Sequence, residues 1–530
     1  MVKPIESTPT EGPTTAPPPA ARPRRLTRRR LLKAGFIGVP AVLGLAAAGT
    51  GIVYAVHDVD TVGKVDFDQP LAIPPLAPAR TDGGRRVFDL QATAGTRQFR
   101  PGRPTTTWGF DNGFLGPTVR ANRGDTVQLN VRNGLDVPTT VHWHGMHLPA
   151  VMDGGPHQLI GPGAVWQPTW TIDQPAATLW YHPHPHDQTA LHVYRGMAGL
   201  LLIDDPEQTA ASRLPTEYGV DDIPVIVQDK NFDGDNQFDA GWSRLGNVGI
   251  LGDTVLVNGT VGPYLDVVTE RVRLRILNGS TARVYNFGFA DDRSFALVGT
   301  DGGLLSAPHA TDRVQLSPGE RAEIVVTLTP GERVVLRSYP PELGLDPLNE
   351  RFTGGDDALD VLQLRAGAQL RPSPQPAATL APAPALQAAA DRVDRRFEMS
   401  GEQINGLVMD MGRIDFGVVR DTTEVWEVVS PFPRPHNFHV HGAQFQVLSV
   451  NGAPPPPELG GWKDTIYNPP EVTFRLAVRF DRHADRNVPF MFHCHLLLHE
   501  DKGMMGQFVV LEPGETVGTP GHSGHSTAPR

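Results

Sequence analysis

Three stretches of the chain share one pattern of hydrophobic and polar positions. Polar and apolar residues alternate through a β-branched run in RGDTVQLNVRNG (from Arg123), TERVRLRILNGS (from Thr269) and RDTTEVWEVVS (from Arg420). Alternation with a period of two is typical of a half-buried β-strand. A second short apolar run follows in each copy, as VHWHG, VYNFG and FHVHG. The pattern therefore predicts a repeated pair of strands.

The repeat recurs at a spacing of about 145 residues, which is the scale of a domain and not of a solenoid unit. The outer copies also share a closing pattern, WYHPH before RGMAGLLLIDD and MFHCH before KGMMGQFVVLE. We therefore predict an all-β protein of three related β-sandwich domains, at about 58–208, 216–366 and 394–515. A Pro/Ala-rich linker, 367–393, separates the last two, and residues 516–530 form a tail predicted to be disordered.

Composition and charge narrow the classes of function. The chain has 530 residues, with 56 Gly and 51 Pro between short Val, Leu and Thr runs, as expected for a β-rich fold. Its net charge of -11 argues against a nucleic-acid partner, because no broad basic face is available to neutralise phosphates. A single cysteine cannot form an internal disulfide, so the fold must rest on core burial or on metals.

The N-terminal segment, 1–57, is predicted to stand outside the fold. In it TRRRLLK (Thr27–Lys33) precedes an uncharged run from Ala34 to Val56, an order that resembles a twin-arginine export signal. Such a signal implies the twin-arginine export machinery as a partner, and export to the periplasm, the cell surface or the medium. The alternative is an uncleaved signal-anchor helix, since about 20 apolar residues suffice to cross a bilayer. Membrane contact is expected only in that case.

Ten of the 19 histidines fall into four groups, HWH, HPH, PHNFHVHG and HCHLLLH. Each group contains an H-x-H pair, and in an extended strand residues i and i+2 face the same side. The pairs lie in the first and third domains, whereas the middle domain has Tyr285 and Phe287 at the matching positions. Eight imidazoles packed together without a metal would leave buried donors and acceptors unpaired. The sequence therefore predicts a metal site made by His142, His144, His182, His184, His439, His441, His493 and His495.

The stretch MFHCHLLLHEDKGMM narrows the choice of metal. Imidazole suits Zn, Cu, Fe and Ni alike, but this stretch adds Cys494, His499 and Met504, and His436 lies just before FHVHG. Two histidines, a thiolate and a weak axial methionine are the ligands of blue copper. Met505 is an alternative to Met504, and Cys494 is alternatively a small buried apolar residue. Strand alternation places Cys494 on the face opposite its two histidine neighbours.

Together, the motifs HWHG, HPH, HxxHxH and HCHxxxHxxxxM resemble those of the multicopper oxidases, the family of laccases, bilirubin oxidases and cuprous oxidases. The resemblance covers about 58–515 and implies three cupredoxin-like Greek-key β-sandwich domains with four copper ions. It implies a type 1 copper on His436, Cys494, His499 and weakly Met504, and a type 2 copper on His142 and His439. The two type 3 coppers would take His144, His182, His184, His441, His493 and His495.

The resemblance also implies a reaction. A reducing substrate would give up electrons one at a time at the edge of His436, and Cys494 and its histidine neighbours would carry them onward for reduction of O2 to water. Asp153 and Glu500 stand where the family places carboxyls that supply protons. Each has a plainer alternative, a turn cap for Asp153 and a solvated charge for Glu500. Asp464, in GWKDT, is expected either to orient a ligand or to form a turn.

We expect a laccase-like oxidase of phenols and related aromatics. A cuprous oxidase is the nearest alternative because thioethers suit Cu(I), but the linker has no methionine, and Met399, Met409 and Met411 are the remaining candidates. A copper-free scaffold relative fits less well, since no ligand of the family pattern is missing. The four H-x-H pairs also disfavour a copper nitrite reductase.

Overall fold

The computed structural model describes residues 59–241, 247–382, 386, 388 and 391–521. Two compact units divide the chain, Met1–Val56 and His57–Arg530, and every described residue belongs to the second. The predicted export signal lies outside the described residues. No helix in the described part of the chain is long and apolar enough to span a bilayer.

Two sheets build the region of the first predicted domain. Its strands are β1 (Gln69–Pro70), β2 (Ala79–Asp82), β3 (Arg85–Arg97), β4 (Thr105–Phe110), β5 (Val119–Asn122), β6 (Thr126–Asn133), β7 (His142–His144), β8 (Val165–Trp166), β9 (Thr169–Thr171), β10 (Ala177–His182) and β11 (Gly199–Asp204). One sheet has the order β5-β11-β10-β7. The other has the order β2-β3-β6-β8, with β4 paired to β3 and β9 to β6.

The middle region also has two sheets. Its strands are β12 (Asp222–Lys230), β13 (Thr254–Val257), β14 (Thr260–Val261), β15 (Pro263–Thr269), β16 (Arg271–Asn278), β17 (Tyr285–Phe289), β18 (Phe295–Thr300), β19 (Gly303–Thr311), β20 (Val314–Leu316), β21 (Arg321–Thr327), β22 (Arg333–Tyr339) and β23 (Leu359–Arg371). The two orders are β1-β15-β23-β22-β17-β20 and β14-β13-β12-β16-β21-β18-β19.

The third region repeats the arrangement with two five-stranded sheets. Its strands are β24 (Arg395–Ser400), β25 (Gln403–Ile404), β26 (Phe416–Val419), β27 (Thr422–Val429), β28 (His436–Val440), β29 (Phe445–Val450), β30 (Thr465–Asn468), β31 (Thr473–Phe480), β32 (Asp485–His493) and β33 (Met505–Leu511). The sheet orders are β25-β24-β27-β31-β29 and β26-β33-β32-β28-β30.

In the described part of the chain the helices are few and short, so strands carry the fold. They are α1 (Thr189–Tyr194), α2 (Pro206–Ser212), α3 (Pro347–Phe352) and α4 (Leu497–Asp501), with 3-10 turns at Ala150–Met152 and Pro457–Leu459. The three pairs of sheets confirm the predicted all-β sandwich fold. Their facing sides bury the apolar residues of the alternating runs, for example every second residue of β6.

One of the three repeated strands departs from the predicted half-buried pattern. All eight residues of β16 are buried. The arginines that alternate along it are covered instead of solvated, because Arg275 pairs with Asp222 and Glu323, and also donates to Thr178 of β10. The polar face of this strand is therefore packed against the first domain.

The predicted domain limits stay predictions, and four features of the structure bear on them. The short β1 pairs with β15 of the middle region, and β23 runs to Arg371, past the predicted limit at 366. Leu380 of the linker is buried against the middle region, and the N–H of Leu386 donates to Gln446 of the third region at 2.8 Å. At the start of the predicted tail, the N–H groups of Gly518 and Gly521 donate to backbone carbonyls, while 522–530 lie outside the described residues.

Candidate metal centre

Strand pairing brings the histidine motifs side by side. In the first domain β7 and β10 are antiparallel, with His142 opposite His182. In the third domain His439 of β28 lies opposite His493 of β32. Only the HWH pair lies wholly inside a strand, because β10, β28 and β32 end within their motifs. The second histidine of each later pair therefore follows a strand end.

The eight H-x-H histidines meet between the first and third domains, and all are buried. Their ring nitrogens gather in three groups within 4.8 Å: His142 with His144 and His439, His144 with His182 and His495, and His184 with His441 and His493. His142 and His144 share one group, whereas each of the other three pairs divides its two rings between different groups. Each group also combines residues of both domains, so neither domain forms the site alone.

Backbone carbonyls fix the orientation of several rings. The Nδ1 atom of His142 lies 3.1 Å from the carbonyl oxygen of Asp153, and that of His439 lies 2.8 Å from the carbonyl oxygen of Asp464. A carbonyl oxygen only accepts, so each of these rings carries its proton on Nδ1 and keeps a bare lone pair on Nε2. Neither Nε2 has a hydrogen-bond partner among the described residues. Two aligned, buried lone pairs fit a shared cation.

The group of His184, His441 and His493 also brings ring-nitrogen acceptors close together. The Nε2 atom of His493 lies 3.2 Å from that of His184 and 3.1 Å from that of His441. Because His441 points Nδ1 at Asp153 Oδ2, 2.7 Å away, its Nε2 faces these neighbours as an acceptor. Acceptors at such distances repel unless a proton or a metal lies between them. The donor set therefore fits bound metal.

A fourth group contains the single cysteine. The Sγ atom of Cys494 lies 3.8 Å from His436 Nδ1 and 3.6 Å from His499 Nδ1. Across the ladder, His493 lies opposite Met505, and the N–H of Cys494 donates to the carbonyl of Met504 at 3.1 Å. Directly opposed residues share a sheet face. Met504 therefore lies on the face of Cys494, and Met505 lies on the other.

Comparison with known proteins identifies the family. Models of multicopper oxidase domains match residues 91–208, 226–335 and 379–514. A multicopper oxidase of Staphylococcus haemolyticus is 35% identical over 452 residues, covering 83% of this chain and 92% of that protein. The chain belongs to the multicopper oxidase family. Membership of this family makes the chain a copper-dependent oxidoreductase that uses O2. Its domains are cupredoxin-like.

Other multicopper oxidase relatives carry different names. The cell division protein FtsP of Escherichia coli is 36% identical over 446 residues, covering 83% of this chain and 93% of that protein. The crystal structure of a laccase from Pediococcus acidilactici superposes with a TM-score of 0.76 at 35% identity, covering 84% of this chain and 95% of that one. The family is thus shared by chains with different recorded roles.

Burial tunes the protonation of this multicopper oxidase site. Burial, reinforced by neighbouring rings, lowers the pKa of His184 to about 4 and holds the pKa of His439 well below its usual range. Neutral imidazole is the form that binds a metal. Burial also raises the pKa of the Cys494 thiol to about 12. At neutral pH a thiolate there requires a cation beside it.

Both predicted carboxyls lie within the cluster and not at the surface. Asp153 touches two ligand groups, through its carbonyl to His142 and through Oδ2 to His441. Glu500 places its two oxygens 3.4 Å from His184 Nδ1 and 3.2 Å from His493 Nδ1. Burial alone would raise the pKa of Glu500, but those two rings hold it below the usual range. Neither side chain is a simple solvated charge.

Asp464 contacts the ligand candidate His144, and the residues that support Asp464 were not predicted from the sequence. Its Oδ1 accepts from His144 Nε2 at 2.9 Å, and its carboxylate is held by both terminal nitrogens of Arg321 at 2.7 and 2.6 Å. Arg321 belongs to the middle domain and is completely buried. Thr465 adds a contact of 3.1 Å to His144 Nε2. No motif marked Arg321, because it lies 143 residues from its partner.

Asn437 also escaped prediction although it lies inside a predicted motif. Its amide oxygen accepts from the N–H of His495 and lies 3.6 Å from Cys494 Sγ. Its amide nitrogen donates to Ser317 Oγ and to the carbonyl of Pro318, at 3.1 and 2.9 Å. Two buried side chains of the middle domain, Arg321 and Ser317, therefore support the residues around the ligand candidates. Arg321 acts through Asp464 on the histidine cluster, and Ser317 acts through Asn437 on the group of Cys494. The middle domain's own Tyr285 and Phe287, at the ligand positions, pack in its core.

Proposed function

We propose that this chain is a laccase-like oxidase that couples one-electron oxidation of phenols or related aromatics to four-electron reduction of O2 to water. The observation that carries the proposal is the complete ligand set. Three histidine groups and the His436, Cys494 and His499 group are all buried and close enough to hold metal. Four copper ions, one of type 1, one of type 2 and two of type 3, would supply the redox chemistry when bound.

The chain provides a short connection between the two kinds of site. Cys494 stands between His493 and His495 in sequence, so peptide bonds join the proposed type 1 thiolate to two rings of the histidine cluster. Asn437 accepts from the N–H of His495 and contacts the sulfur, which fixes both ends of this connection. The proposed role of the cysteine rests on this arrangement.

Proton supply is the second task of the chain, because reduction of O2 to water consumes four protons. Glu500 contacts His184 and His493, and Asp153 contacts His142 and His441. Asp153 belongs to the first domain and Glu500 to the third, so each of the two domains that form the cluster contributes one carboxylate. We assign Glu500 and Asp153 to holding and moving protons there.

We propose that the reducing substrate gives up its electrons at His499. His436 and His499 are both buried, but His499 Nε2 donates to the carbonyl of Asn247 at 2.7 Å. The Asn247 side chain in turn donates to Glu402 at 2.7 Å and accepts from Lys502 at 2.8 Å. This favours His499 over the edge of His436 that the sequence suggested.

Glu402 and Lys502 line a groove of about 560 Å³ together with Val408. That volume lies within the usual range for small-molecule sites, which is roughly 300–1,000 Å³. Glu402 and Lys502 pair with each other at 3.2 Å, and Val408 beside them offers an apolar contact for an aromatic ring that carries a hydroxyl. We therefore place the phenol in this groove.

A cuprous oxidase is the second candidate, and one contact favours it. The N–H of Met409 donates to the carbonyl of Gly503 at 2.9 Å, next to Met504. Met409 and Met411 are both partly exposed, and thioethers suit Cu(I). By contrast, a copper-free cell-division role would leave the complete buried ligand set without a purpose.

Oxygen uptake by the copper-loaded protein distinguishes these functions. We expect turnover with 2,6-dimethoxyphenol that survives a Met409→Leu, Met411→Leu double variant. Turnover with Cu(I) alone, lost in that double variant, would replace the leading proposal. Cys494→Ser should remove absorption near 600 nm and all turnover while the type 2 electron paramagnetic resonance signal remains. A protein that binds no copper at all would contradict both oxidase functions.

A further inference from the structure

A second cavity, outside the four ligand groups, lies where the first domain meets the middle domain. It encloses about 330 Å³, and its lining includes Ile73, Pro75, Arg97, Asn112, Phe114 and Leu115. Asn258 of the middle domain closes one side. The volume is near the lower end of the range for small-molecule sites, roughly 300 Å³. Neither the proposed oxidation nor proton supply uses this cavity.

The charge in the cavity is not balanced. The Arg97 guanidinium makes neither a hydrogen bond nor an ion pair with any residue that the structure describes, and it lies 5.8 Å from the ring centre of Phe99 and 5.9 Å from that of Phe114. None of the lining residues is acidic. Burial lowers the pKa of Arg97, and no neighbouring carboxylate opposes that shift. A half-buried cation without a counter-ion is costly, so a bound anion would stabilise it.

The cavity wall is held in an unusual backbone conformation. Leu115 has φ 57 and Asn258 has φ 49, values that a leucine in particular rarely adopts. Hydrogen bonds lock both residues: the N–H of Leu115 donates to Gly196 at 2.8 Å, and the Asn258 amide donates to Ala72 at 2.9 Å. Strained residues held by their surroundings cluster at ligand sites. The wall is therefore shaped before any ligand arrives, which lowers the cost of binding.

We propose that this cavity binds a small organic monocarboxylate, with its carboxylate on Arg97 and its apolar body against Phe114 and Pro75. A planar guanidinium matches a carboxylate through two parallel N–H bonds. Asn112 offers a further amide donor in the same cavity. The apolar lining favours an organic acid over inorganic phosphate, which would leave Ile73 and Pro75 without contact.

Isothermal titration of the copper-loaded protein with benzoate tests the proposal. Benzamide has the same shape without the charge, so we expect it to bind at least tenfold more weakly. Arg97→Gln should weaken benzoate binding by tenfold or more, because a hydrogen bond to a charged group is lost. The matched control is Arg103→Gln, which makes the same change of charge at an exposed residue outside the cavity. It should leave the affinity within twofold.

Asn112→Asp provides a second, independent arm. It places a carboxylate in the same cavity, so it should occupy Arg97 and abolish benzoate binding while raising the melting temperature or leaving it unchanged. If Arg97→Gln does not fold, this variant alone decides the matter. No heat of binding for benzoate, equal binding by Arg97→Gln or Asn112→Asp, or tighter binding of inorganic phosphate than of benzoate would each overturn the proposal.

Discussion

Arg321 is the most informative residue to change, because it links all three domains at the histidine cluster. Its two terminal nitrogens hold Asp464, whose Oδ1 accepts from the ligand candidate His144. Its remaining hydrogen bonds go to backbone carbonyls of Thr178, Gly319 and Asp301, at 3.0, 3.0 and 2.8 Å. The guanidinium therefore satisfies one carboxylate and three carbonyls.

Arg321→Met keeps most of the side-chain length and removes every one of these donors. Removing one partner of a buried ion pair costs about 3–5 kcal/mol, because the other charge is left unpaired. We therefore expect a large fall in melting temperature. Asp464 would also lose its fixed orientation toward His144. Loss of such a supporting contact typically weakens metal binding by about 10–100-fold.

A matched control separates instability from loss of the metal site. Arg273 is also buried in the middle domain and pairs with Glu323 at 2.9 Å, away from any ligand candidate. Arg273→Met should lower the melting temperature by a similar amount yet keep its copper through dialysis against a weak chelator. Arg321→Met should lose copper and its type 2 electron paramagnetic resonance signal. Equal copper retention by both variants would refute the reasoning.

Three further predictions follow from single contacts. Met504→Leu should raise the type 1 reduction potential measured by redox titration, whereas Met505→Leu should not; the reverse result would assign the axial position to Met505. Glu500→Gln should slow O2 reduction at least tenfold while bleaching of the 600 nm band by substrate stays fast, since only proton supply is removed. Burial would raise the pKa of Glu323, but Arg273 and Arg275 lower it to about 2. The stabilisation that the Glu323 carboxylate contributes is therefore complete above its ordinary pKa of 4.5 and is lost as the pH falls toward 2. Glu323→Gln should remove that acid-induced drop in melting temperature, and an unchanged drop would contradict the assignment.

The sequence predicted the sandwich fold and the ligand candidates because both leave local signals. Alternation with a period of two indicates strands, and H-x-H indicates two rings on the same face of a strand. The H-x-H pattern did not predict how the rings divide among groups; the family resemblance paired His142 with His439, and the structure adds His144 to that group. That division depends on register, for example His439 opposite His493, and on where each strand ends. A register shift of one residue would turn every side chain to the other face.

The contacts that surround the ligands were harder to predict, since they connect residues far apart in sequence. Arg321 and Asp464 are separated by 143 positions, and Asn437 and Ser317 by 120. Neither pair has a characteristic spacing. Buried charges also gave no signal, because β16 alternates like a strand with a solvated face although its arginines are paired inside the protein.

These contacts give the middle domain a role despite its lack of ligands. Its Tyr285 and Phe287 stand where the outer domains have histidines, and they pair with β20, opposite Leu316 and Val314. The loop that leaves β20 reaches the cluster at Gly319, where an added Cβ would lie 3.2 Å from carbons of His144 and His495. Gly319 also has φ +87, a conformation that favours glycine. The aromatic core of the middle domain thus fixes the loop that carries Gly319 and leads into Arg321, so this domain supports the histidine cluster although it contributes no ligand candidate to it.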